Sequence, residues 1–246
     1  MLIIKPFIFK RFPEIVFGFS TKIGPNAKPP YYFNLSYSVD DNKEIVDTNR
    51  ALFYNELGLS EKMVSYQKQV HKDKINIVSS FGSCGESDAL ITRKKNLGLA
   101  ISSADCPAIF IYDPKEKVIA AVHSGWRGTE KKILIKTIQK LIDDFNSDSS
   151  NLVCYIGPSI TQKNYEVGEE VAVMFSKEFV STNKNKFYLD VAGANYKMLI
   201  DDGINEVNIQ VSGLCSYEYE NLLHSYRRDG HKSGRALGVI AMKENN

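Results

Sequence analysis

The sequence predicts an α+β fold with a strand-rich core of mostly antiparallel pairs and helices packed outside it. Three observations lead to this prediction. Short β-rich runs dominate the middle of the chain, the connectors between them are of hairpin length, and runs with helical periodicity flank them. A hydrophobic content of 43% with 24% charged residues is ordinary for a chain that buries a sizeable core. We therefore expect one domain covering residues 1–246.

The predicted strands are apolar runs separated by Gly, Asp-Pro and Lys-rich turns. They cover residues 75–80, 89–92, 97–106, 108–113 and 118–124, and two more at 207–212 and 236–242 close the chain. Because the connectors in the central block are short, consecutive strands are expected to pair antiparallel. We expect the active region at the strand ends.

Four helices are predicted around these strands. Their ranges are 41–57, 129–145, 165–180 and 190–202. The first begins with Asp41 and has Glu44 three positions later, which resembles a capping box, and Gly58 provides a stop. The other three are predicted from apolar residues recurring at helical spacing.

Charge and cysteine usage restrict the class of partner. The net charge of +2, from 31 basic and 29 acidic residues, is too balanced for a protein that binds nucleic acid through a basic surface. The apolar N-terminal segment is interrupted by charges and prolines, unlike a signal peptide or a membrane span. Four widely spaced cysteines argue against a disulfide framework. These features predict a cytoplasmic protein that acts on small molecules, with no nucleic-acid or membrane partner.

Three metal-binding residue types follow short β-like runs. His71 follows "YQKQV", Cys106 ends "SSADC", and His123 ends an apolar strand, so strand ends can bring them together. Two imidazoles and one thiolate suit zinc, and three protein ligands leave a fourth position for water or substrate. The wide spacing gives little support by itself, because the chain has neither CxxC nor HExxH. On the residues alone, a metal site and ordinary polar histidines both remain open.

Two arginine-containing segments predict anion binding. In "AVHSGWRG", Gly125 and Gly128 allow close backbone approach beside Arg127, and a helix starting near Thr129 would direct free N–H groups at an anion. A second cluster lies in "SYRRDGHKSGR", residues 225–235. The candidate substrate- and phosphate-binding residues are Arg127, Arg227, Arg228 and Arg235. An ordinary turn and an exposed basic loop are the respective alternatives.

Two carboxylates are expected beside the candidate metal site. Asp105 directly precedes Cys106, and Asp88 stands at a predicted strand start. Either can orient a ligand imidazole or move protons, and the orienting role is favoured. Asp88, Asp105, Cys106 and Arg127 are the candidate catalytic residues. Cys84, Cys154 and Cys215 are expected to be partly buried core residues.

At "QVH", "ADCP" and "VHSGWRGT" the sequence resembles the YfiH-like family, once labelled polyphenol oxidase or laccase-domain proteins. The resemblance extends in order through "GFSTK" (18–22), "DALIT" (88–92), "IGPSI" (156–160), "YEVGEEV" (165–171) and "SYRRDG" (225–230). It implies a central sheet sandwich flanked by helices. It also makes His71, Cys106 and His123 the metal ligands, usually for zinc, with copper as a second metal.

The resemblance implies a purine nucleoside enzyme. The expected reactions are phosphorolysis of adenosine, inosine and methylthioadenosine, and deamination of adenosine. A multicopper laccase needs additional histidine-rich sites, which four histidines cannot supply. Phe17, Ser124 and Ser159 depart from the residues common in the family, but none of them removes a proposed ligand. The loop 23–36 departs more, so a different substrate preference is expected.

Two other functions use the same residues. In a cysteine hydrolase or amidase, including the peptidoglycan-editing role linked to some relatives, Cys106 would be the nucleophile and His123 the base. In a metal-stabilised binding protein, chelation would lower stability without any turnover being found. Sensitivity of activity to a chelator separates these alternatives from the zinc enzyme.

Overall fold

The computed structural model describes residues 1–25 and 27–244. Asn26, in the loop 23–36, and residues 245–246 of the predicted domain lie outside the described residues. Within the described part, 15 strands form three sheets with helices on their outer faces, which confirms the predicted mixed fold. No helix in these residues is long and apolar enough to cross a membrane.

The strands are numbered in chain order. The first sheet has the spatial order β1 (Ile3–Ile4), β2 (Ile15–Ser20), β15 (Ala236–Met242), β7 (Gly98–Ser103), β3 (Val64–Lys68) and β5 (Gly82–Glu86). The second has the order β14 (Ile209–Val211), β10 (Val153–Ile156), β8 (Ala108–Asp113), β9 (Val118–His123), β6 (Ala89–Thr92) and β4 (Ile75–Ile77). The third has the order β11 (Glu166–Val167), β13 (Lys186–Leu189) and β12 (Val180–Asn183).

The helices are α1 (Lys43–Glu56), α2 (Trp126–Glu130), α3 (Ile133–Phe145), α4 (Glu169–Ala172), α5 (Val191–Asp201) and α6 (Tyr226–Asp229). Most strand pairs are antiparallel, as predicted. The expected antiparallel pairing of consecutive strands in the central block was wrong except for β8 and β9, because β7 lies in the other large sheet from β6 and β8, and β4 pairs parallel with β6. The parallel pairs join β3 to β5 and β7, β4 to β6, and β10 to β14.

The two large sheets pack face to face, and successive side chains of β8 point alternately into the space between the sheets and away from it. Phe110 and Tyr112 point into the core between the sheets, whereas Ile109 and Ile111 point to the opposite face, which α3 and α5 cover. Phe110 meets Phe17 of the first sheet edge to face, with ring centroids 4.8 Å apart. Full burial of one such ring contributes about 1.5–3 kcal/mol. The family's sheet sandwich is therefore present.

The outer face of the first sheet is covered by α1, whose Phe53 and Tyr54 pack in one cluster with Val239 of β15. This helix begins one residue later than the predicted capping box requires. Asn42 is its N-cap and accepts hydrogen bonds from the backbone N–H groups of residues 44 and 45. Asp41 instead accepts a hydrogen bond from the Asn34 amide.

Two predicted helices differ from the structure. The helix expected at 129–145 is two helices, since α2 begins at Trp126 and Lys132, with φ 58°, separates it from α3. The prediction of a helix at 165–180 was wrong. Residues 166–167 form β11, which pairs with β13, and only the short α4 follows. The apolar spacing that suggested a helix instead packs Val171 against Leu189 of the third sheet.

A buried polar network ties the end of β9 to α2 and α5. The Ser124 hydroxyl donates to Asn195 Oδ1 at 2.7 Å, and Asn195 Nδ2 donates to Thr129 Oγ1 at 2.9 Å and to the Val191 carbonyl at 2.8 Å. Ser124, Thr129 and Asn195 are all fully buried. Their hydrogen bonds therefore hold the segment that follows His123 against the outer helix layer.

Replacing Asn195→Ala leaves two buried hydroxyls without their amide partner. We expect the free energy of unfolding to fall by about 2–3 kcal/mol and the melting temperature to fall by about 4–12 °C. Differential scanning calorimetry measures the shift. The control Lys197→Ala removes an exposed ion pair with Asp201 on the same helix and should change stability by less than about 0.5 kcal/mol. Equal shifts for the two variants would contradict a structural role of the network.

A second polar cluster links the segment before β2 to the β8–β9 turn. Glu14 Oε1 accepts hydrogen bonds from the Tyr112 hydroxyl at 2.6 Å and from Lys117 Nζ at 2.8 Å. Burial by itself raises the pKa of Glu14, but these hydrogen bonds outweigh it and lower the pKa from 4.5 to about 2. The cluster therefore stabilises the fold above pH 4.5, and this contribution is lost as the pH falls towards 2.

The variant Glu14→Gln is expected to be less stable than the unaltered protein at pH 7 by about 1–2 kcal/mol, since Lys117 is half exposed and screened. The difference should shrink below pH 4.5 and vanish near pH 2. Urea unfolding at a series of pH values measures it. The control Glu56→Gln, at the exposed end of α1, should give a small difference at every pH. A pH-independent deficit for Glu14→Gln would refute the linkage.

Candidate metal centre and cleft

His71, Cys106 and His123 meet at one rim of the sandwich. One ligand atom from each residue lies within 4.8 Å of the other two. Cys106 follows β7 of the first sheet, His123 is the last residue of β9 in the second, and His71 follows β3. The structure therefore brings together the three side chains that the sequence predicted would meet.

His123 is fixed in orientation by Asp88. His123 is 3% exposed, and its Nδ1 lies 2.8 Å from Asp88 Oδ1. Because an ionised carboxylate can only accept, Nδ1 carries the hydrogen and Nε2 is left to face the cluster. A carboxylate behind a ligand imidazole is the usual arrangement at zinc sites.

Asp88 also holds the loop that carries His71. Its two carboxylate oxygens accept from the backbone N–H groups of Val70 at 3.1 Å, His71 at 2.9 Å and Lys72 at 2.8 Å. His71 itself has a left-handed backbone, with φ 56°, which these hydrogen bonds stabilise. Burial by itself raises the pKa of Asp88, but the hydrogen bond with His123 and the backbone donors outweigh it and lower the pKa. Asp88 is thus placed to orient two candidate ligands.

Cys106 lies against the glycine that precedes Trp126. A Cβ atom at Gly125 would be 2.7 Å from Cys106 Sγ, closer than real Cβ contacts allow. Any other residue at this position would displace the sulfur or the backbone. This contact explains why glycine directly precedes the tryptophan in "HSGWRG".

The charges of the cluster are coupled. Burial by itself raises the pKa of the Cys106 thiol, but hydrogen bonds with His123 and His71 outweigh it and lower the pKa to about 6. Burial by itself lowers the pKa of His123, but hydrogen bonds with Asp88 and Cys106 outweigh it and raise the pKa to about 9. Each shift favours the charged form of its group, a thiolate at Cys106 and an imidazolium at His123.

The cluster opens into a cleft of about 700 Å³. The cleft is lined by Ser36, Ser38, Lys68, Gln69, His71, Ser102, Ser103, Ala104, Asp105, Cys106, His123, Trp126, Arg127, Tyr165, Tyr226, Arg227, His231 and Arg235. Basic side chains outnumber acidic ones in this lining. The single carboxylate, on Asp105, already accepts hydrogen bonds from Ser216 and from the backbone of Arg227. The cleft is therefore suited to an anionic reactant.

Each arginine of the cleft lies over an aromatic ring. The guanidinium-to-centroid distances are 4.1 Å for Arg127 and Trp126, 5.1 Å for Arg227 and Tyr165, and 5.2 Å for Arg235 and Tyr226. Such stacking restrains a guanidinium while leaving its edge free to donate hydrogen bonds. Arg127 and Arg227 are exposed, whereas Arg235 is half buried.

Arg228 is the one predicted binding residue that the structure keeps out of the cleft lining. Its guanidinium donates to the backbone carbonyls of Ser216, Tyr217 and Leu223, and it pairs with Asp229 at 2.8 Å. These contacts use its donors within the fold. The predicted role of Arg228 in binding phosphate does not fit this placement, and its contacts indicate that it stabilises the loop before α6.

The predicted helix start beside Arg127 is also displaced. The helix begins at Trp126 rather than near Thr129, and it has only 5 residues. Trp126 is half buried and packs with Val171 and Leu189, so it anchors the third sheet beside the cleft. The tryptophan of the motif therefore helps to build the wall of the cleft.

Sequence reasoning missed several residues of the cleft. The Gln69 amide donates to the Ser102 carbonyl at 2.9 Å and accepts from the Ser102 backbone N–H at 2.7 Å, and so holds the His71 loop against β7. Tyr165 and Tyr226 support arginines from segments that the sequence treated as a helix and a loop. A glutamine or tyrosine carries no spacing signal for such contacts, although the family motifs contain both tyrosines.

The other cysteines and the family departures occupy structural positions. All four cysteines are free, with Cys154 and Cys215 buried and Cys84 half buried, as predicted. Phe17 packs in the core between the sheets, and Ser159 is buried and forms an isolated bridge with Cys215. None of these departures alters the candidate ligands.

Known proteins resemble this chain along most of its length. "Purine nucleoside phosphorylase YlmD" of Bacillus subtilis is 30% identical over 249 residues, covering 94% of this chain and 90% of the relative. A "Purine nucleoside phosphorylase" of Deinococcus radiodurans is 34% identical over 230 residues, covering 92% and 88%.

Two solved structures have the same fold. The hypothetical protein YfiH of Bacillus licheniformis has a TM-score of 0.90 and 27% identity, covering 96% of this chain and 94% of that one. YlmD from Geobacillus stearothermophilus has a TM-score of 0.90 and 27% identity, covering 95% and 93%. The family model described as "Multi-copper polyphenol oxidoreductase laccase" matches residues 16–243, a range that contains the whole metal cluster. The chain therefore belongs to this family, the YfiH-like proteins.

Proposed function

We propose that the protein is a zinc-dependent purine nucleoside phosphorylase that also deaminates adenosine. The observation that carries the proposal is a cluster of two imidazoles and a thiol that opens into a cleft bordered by arginines. The relatives named as purine nucleoside phosphorylases support the same reaction class. Adenosine, inosine and methylthioadenosine are the proposed nucleosides, and the family resemblance is the support for them.

The donor set fits zinc. Two histidine nitrogens and one cysteine sulfur are ligands that zinc prefers, and a three-residue site keeps one position open to the cleft. His71, Cys106 and His123 would hold the ion, which when bound supplies a Lewis acid and activates water. Copper is the second candidate, because it accepts the same donors.

A multicopper mechanism does not fit the histidine placement. Of the four histidines, His71 and His123 belong to the cluster, and His224 is buried beside the Phe33 carbonyl. Only His231 remains, exposed at the cleft. Within residues 1–25 and 27–244, the cluster is the single group of potential ligands found. The word laccase in the family description therefore has no support from these side chains.

The arginines supply the means of holding phosphate. Phosphorolysis forms a bond between a phosphate oxygen and the anomeric carbon, and it breaks the glycosidic bond, so that the purine leaves with the bonding electron pair and takes up a proton. Arg127 and Arg227 lie at the cleft with their planes restrained by Trp126 and Tyr165. Guanidinium groups fixed in this way bind phosphate through paired hydrogen bonds and offset its repulsion from other negative charge.

The carboxylates of Asp88 and Asp105 hold other groups of the site in position. Asp88 sets the imidazole of His123 and the loop of His71, and all of its hydrogen-bond donors are protein groups. Asp105 is likewise engaged on both oxygens. We therefore assign both residues to positioning, in preference to proton transfer.

A cysteine hydrolase is the second candidate function. The thiolate of Cys106 beside the imidazolium of His123 is the ion pair that cysteine hydrolases use, and this arrangement favours the alternative. The two functions differ in their response to metal removal, since the hydrolase needs no ion.

The variant Cys106→Ala is expected to lose stoichiometric metal and phosphorolysis together, because two imidazoles alone form an incomplete site. Elemental analysis measures the metal, and production of hypoxanthine from inosine plus phosphate measures turnover. The control Cys84→Ala removes a half-buried thiol outside the cluster and should retain both. Activity that survives chelation, with labelling of Cys106 by an electrophile, would establish the hydrolase instead.

The variant Arg127→Ala is expected to raise the KM for phosphate by about 10-fold or more, since a charge-assisted contact is lost. Metal content and phosphate-free deamination of adenosine should change by less than about threefold. Steady-state kinetics at varied phosphate measures the effect. The control Arg93→Ala removes an arginine that contacts Phe145, outside the cleft lining. If deamination and phosphorolysis fall equally, Arg127 has no specific role in binding phosphate.

A further inference from the structure

The residue before the candidate thiol ligand has an unfavourable backbone conformation. Asp105 has φ 95°, a region that side-chain-bearing residues rarely adopt. Glycine would take this conformation without strain. The retention of an aspartate here therefore requires contacts that compensate for the backbone conformation and depend on its side chain.

Three hydrogen bonds hold Asp105 in place. Its carbonyl accepts from the backbone N–H of Ile160 at 2.9 Å. One carboxylate oxygen accepts from the Ser216 hydroxyl at 2.6 Å, and the other accepts from the backbone N–H of Arg227 at 2.6 Å. Asp105 is 7% exposed, so the contacts to its charged group are shielded from solvent. The turn that carries Cys106 is thereby tied to three distant positions of the chain.

The groups that donate to the Asp105 carboxylate lie beside the arginine wall, the part of the cleft lining that Arg127, Arg227 and Arg235 form. Arg227 is the second residue of α6, and its side chain donates to the Glu166 carbonyl at 2.7 Å and lies over Tyr165. Ser216 is connected to the same helix, because its carbonyl accepts from Arg228 at 2.8 Å. A shift of the Asp105 carboxylate would therefore move Cys106 and Arg227 together.

We propose that Asp105 is a positioning residue that couples the thiol ligand Cys106 to the arginine wall at Arg227, and that metal and phosphate are held in register through it. The part of this proposal that concerns phosphate binding rests on the proposed function. The part that concerns metal binding depends only on the cluster of His71, Cys106 and His123. Each carboxylate oxygen of Asp105 already accepts a hydrogen bond from the protein, which favours this positioning role over general acid or base catalysis.

The test compares four variants of the metal-loaded protein. Asp105→Asn keeps the shape of the side chain. Its amide NH₂ replaces one carboxylate oxygen and faces a group that now donates a hydrogen bond to that oxygen. Asp105→Gly relieves the backbone strain and removes both side-chain contacts. Ser216→Ala removes one hydrogen bond, and Ser216→Thr restores a hydroxyl. Competition with a chelator measures metal affinity, titration calorimetry with inorganic phosphate measures phosphate affinity, and thermal melting reports stability.

The matched control is Asp113→Ala, which removes the carboxylate and both of its backbone hydrogen bonds. Asp113 is also a buried carboxylate that accepts two backbone hydrogen bonds, from Lys115 and Glu116, at the far end of β8. Its replacement should lower the melting temperature and leave both affinities of the folded protein unchanged. This control separates loss of stability from loss of positioning.

For Asp105→Asn we expect about 10–100-fold weaker metal binding and at least about 10-fold weaker phosphate binding. Asp105→Gly removes the backbone strain but leaves the Ser216 hydroxyl and the Arg227 N–H without their acceptor, so it should show losses of both affinities that are at least as large. Ser216→Ala should show smaller losses of both affinities, and Ser216→Thr should lie within about threefold of the unaltered protein.

Three results would overturn the coupling. Both affinities within about twofold of the unaltered protein in Asp105→Gly, which removes both side-chain contacts, would show that the residue is only structural. Loss of metal affinity alone would confine its action to Cys106. If the unaltered protein binds no phosphate, the proposed function and the phosphate half of the coupling both fail, while the metal measurement still decides whether Asp105 holds Cys106.

Discussion

The buried carboxylate of Asp88 is the constraint on which the candidate metal centre depends. A charge removed from water is costly unless hydrogen bonds replace its hydration. Here four donors do so, three from the backbone at residues 70–72 and one from His123. The same bonds that satisfy the charge set the ring of His123 and the loop of His71. Satisfying one buried anion therefore also preorganises two ligands.

The sheet sandwich explains why the ligands meet at one rim. Strands β3 and β7 are parallel neighbours in the first sheet, and β9 of the second sheet ends at the same rim, while aromatic packing around Phe17 and Phe110 locks the two sheets together. The rim is then completed by the third sheet, which Trp126 anchors. The last residue of β9 is His123 and the turn after β7 carries Cys106, whereas the arginines lie on loops and short helices around them. Such a division places precise ligand geometry on the core and leaves the substrate-facing wall free to vary.

Charge is distributed unevenly in the cleft. The carboxylates nearest the ligands, Asp88 and Asp105, are both engaged with protein donors, while three arginines and a lysine line the open space. Within the described residues the cleft therefore presents positive charge to a reactant and keeps its negative charge for internal support. This polarity supports the proposal that a nucleoside and phosphate bind in one site.

Residue types and local patterns in the sequence were sufficient to predict the mixed fold and the α1 region, because these depend on alternation and on turn residues. The residues alone left the metal site open, and the family resemblance selected His71, Cys106 and His123 as the candidate ligands. The third sheet could not be predicted, since the apolar spacing in 165–180 is equally compatible with a helix and only pairing with β13 selects the strand. Arg227 and Arg228 have the same chemistry and are adjacent in sequence. Only the tertiary path of α6 turns one towards the cleft and the other into the loop contacts, because side-chain direction follows from the backbone and its long-range hydrogen bonds.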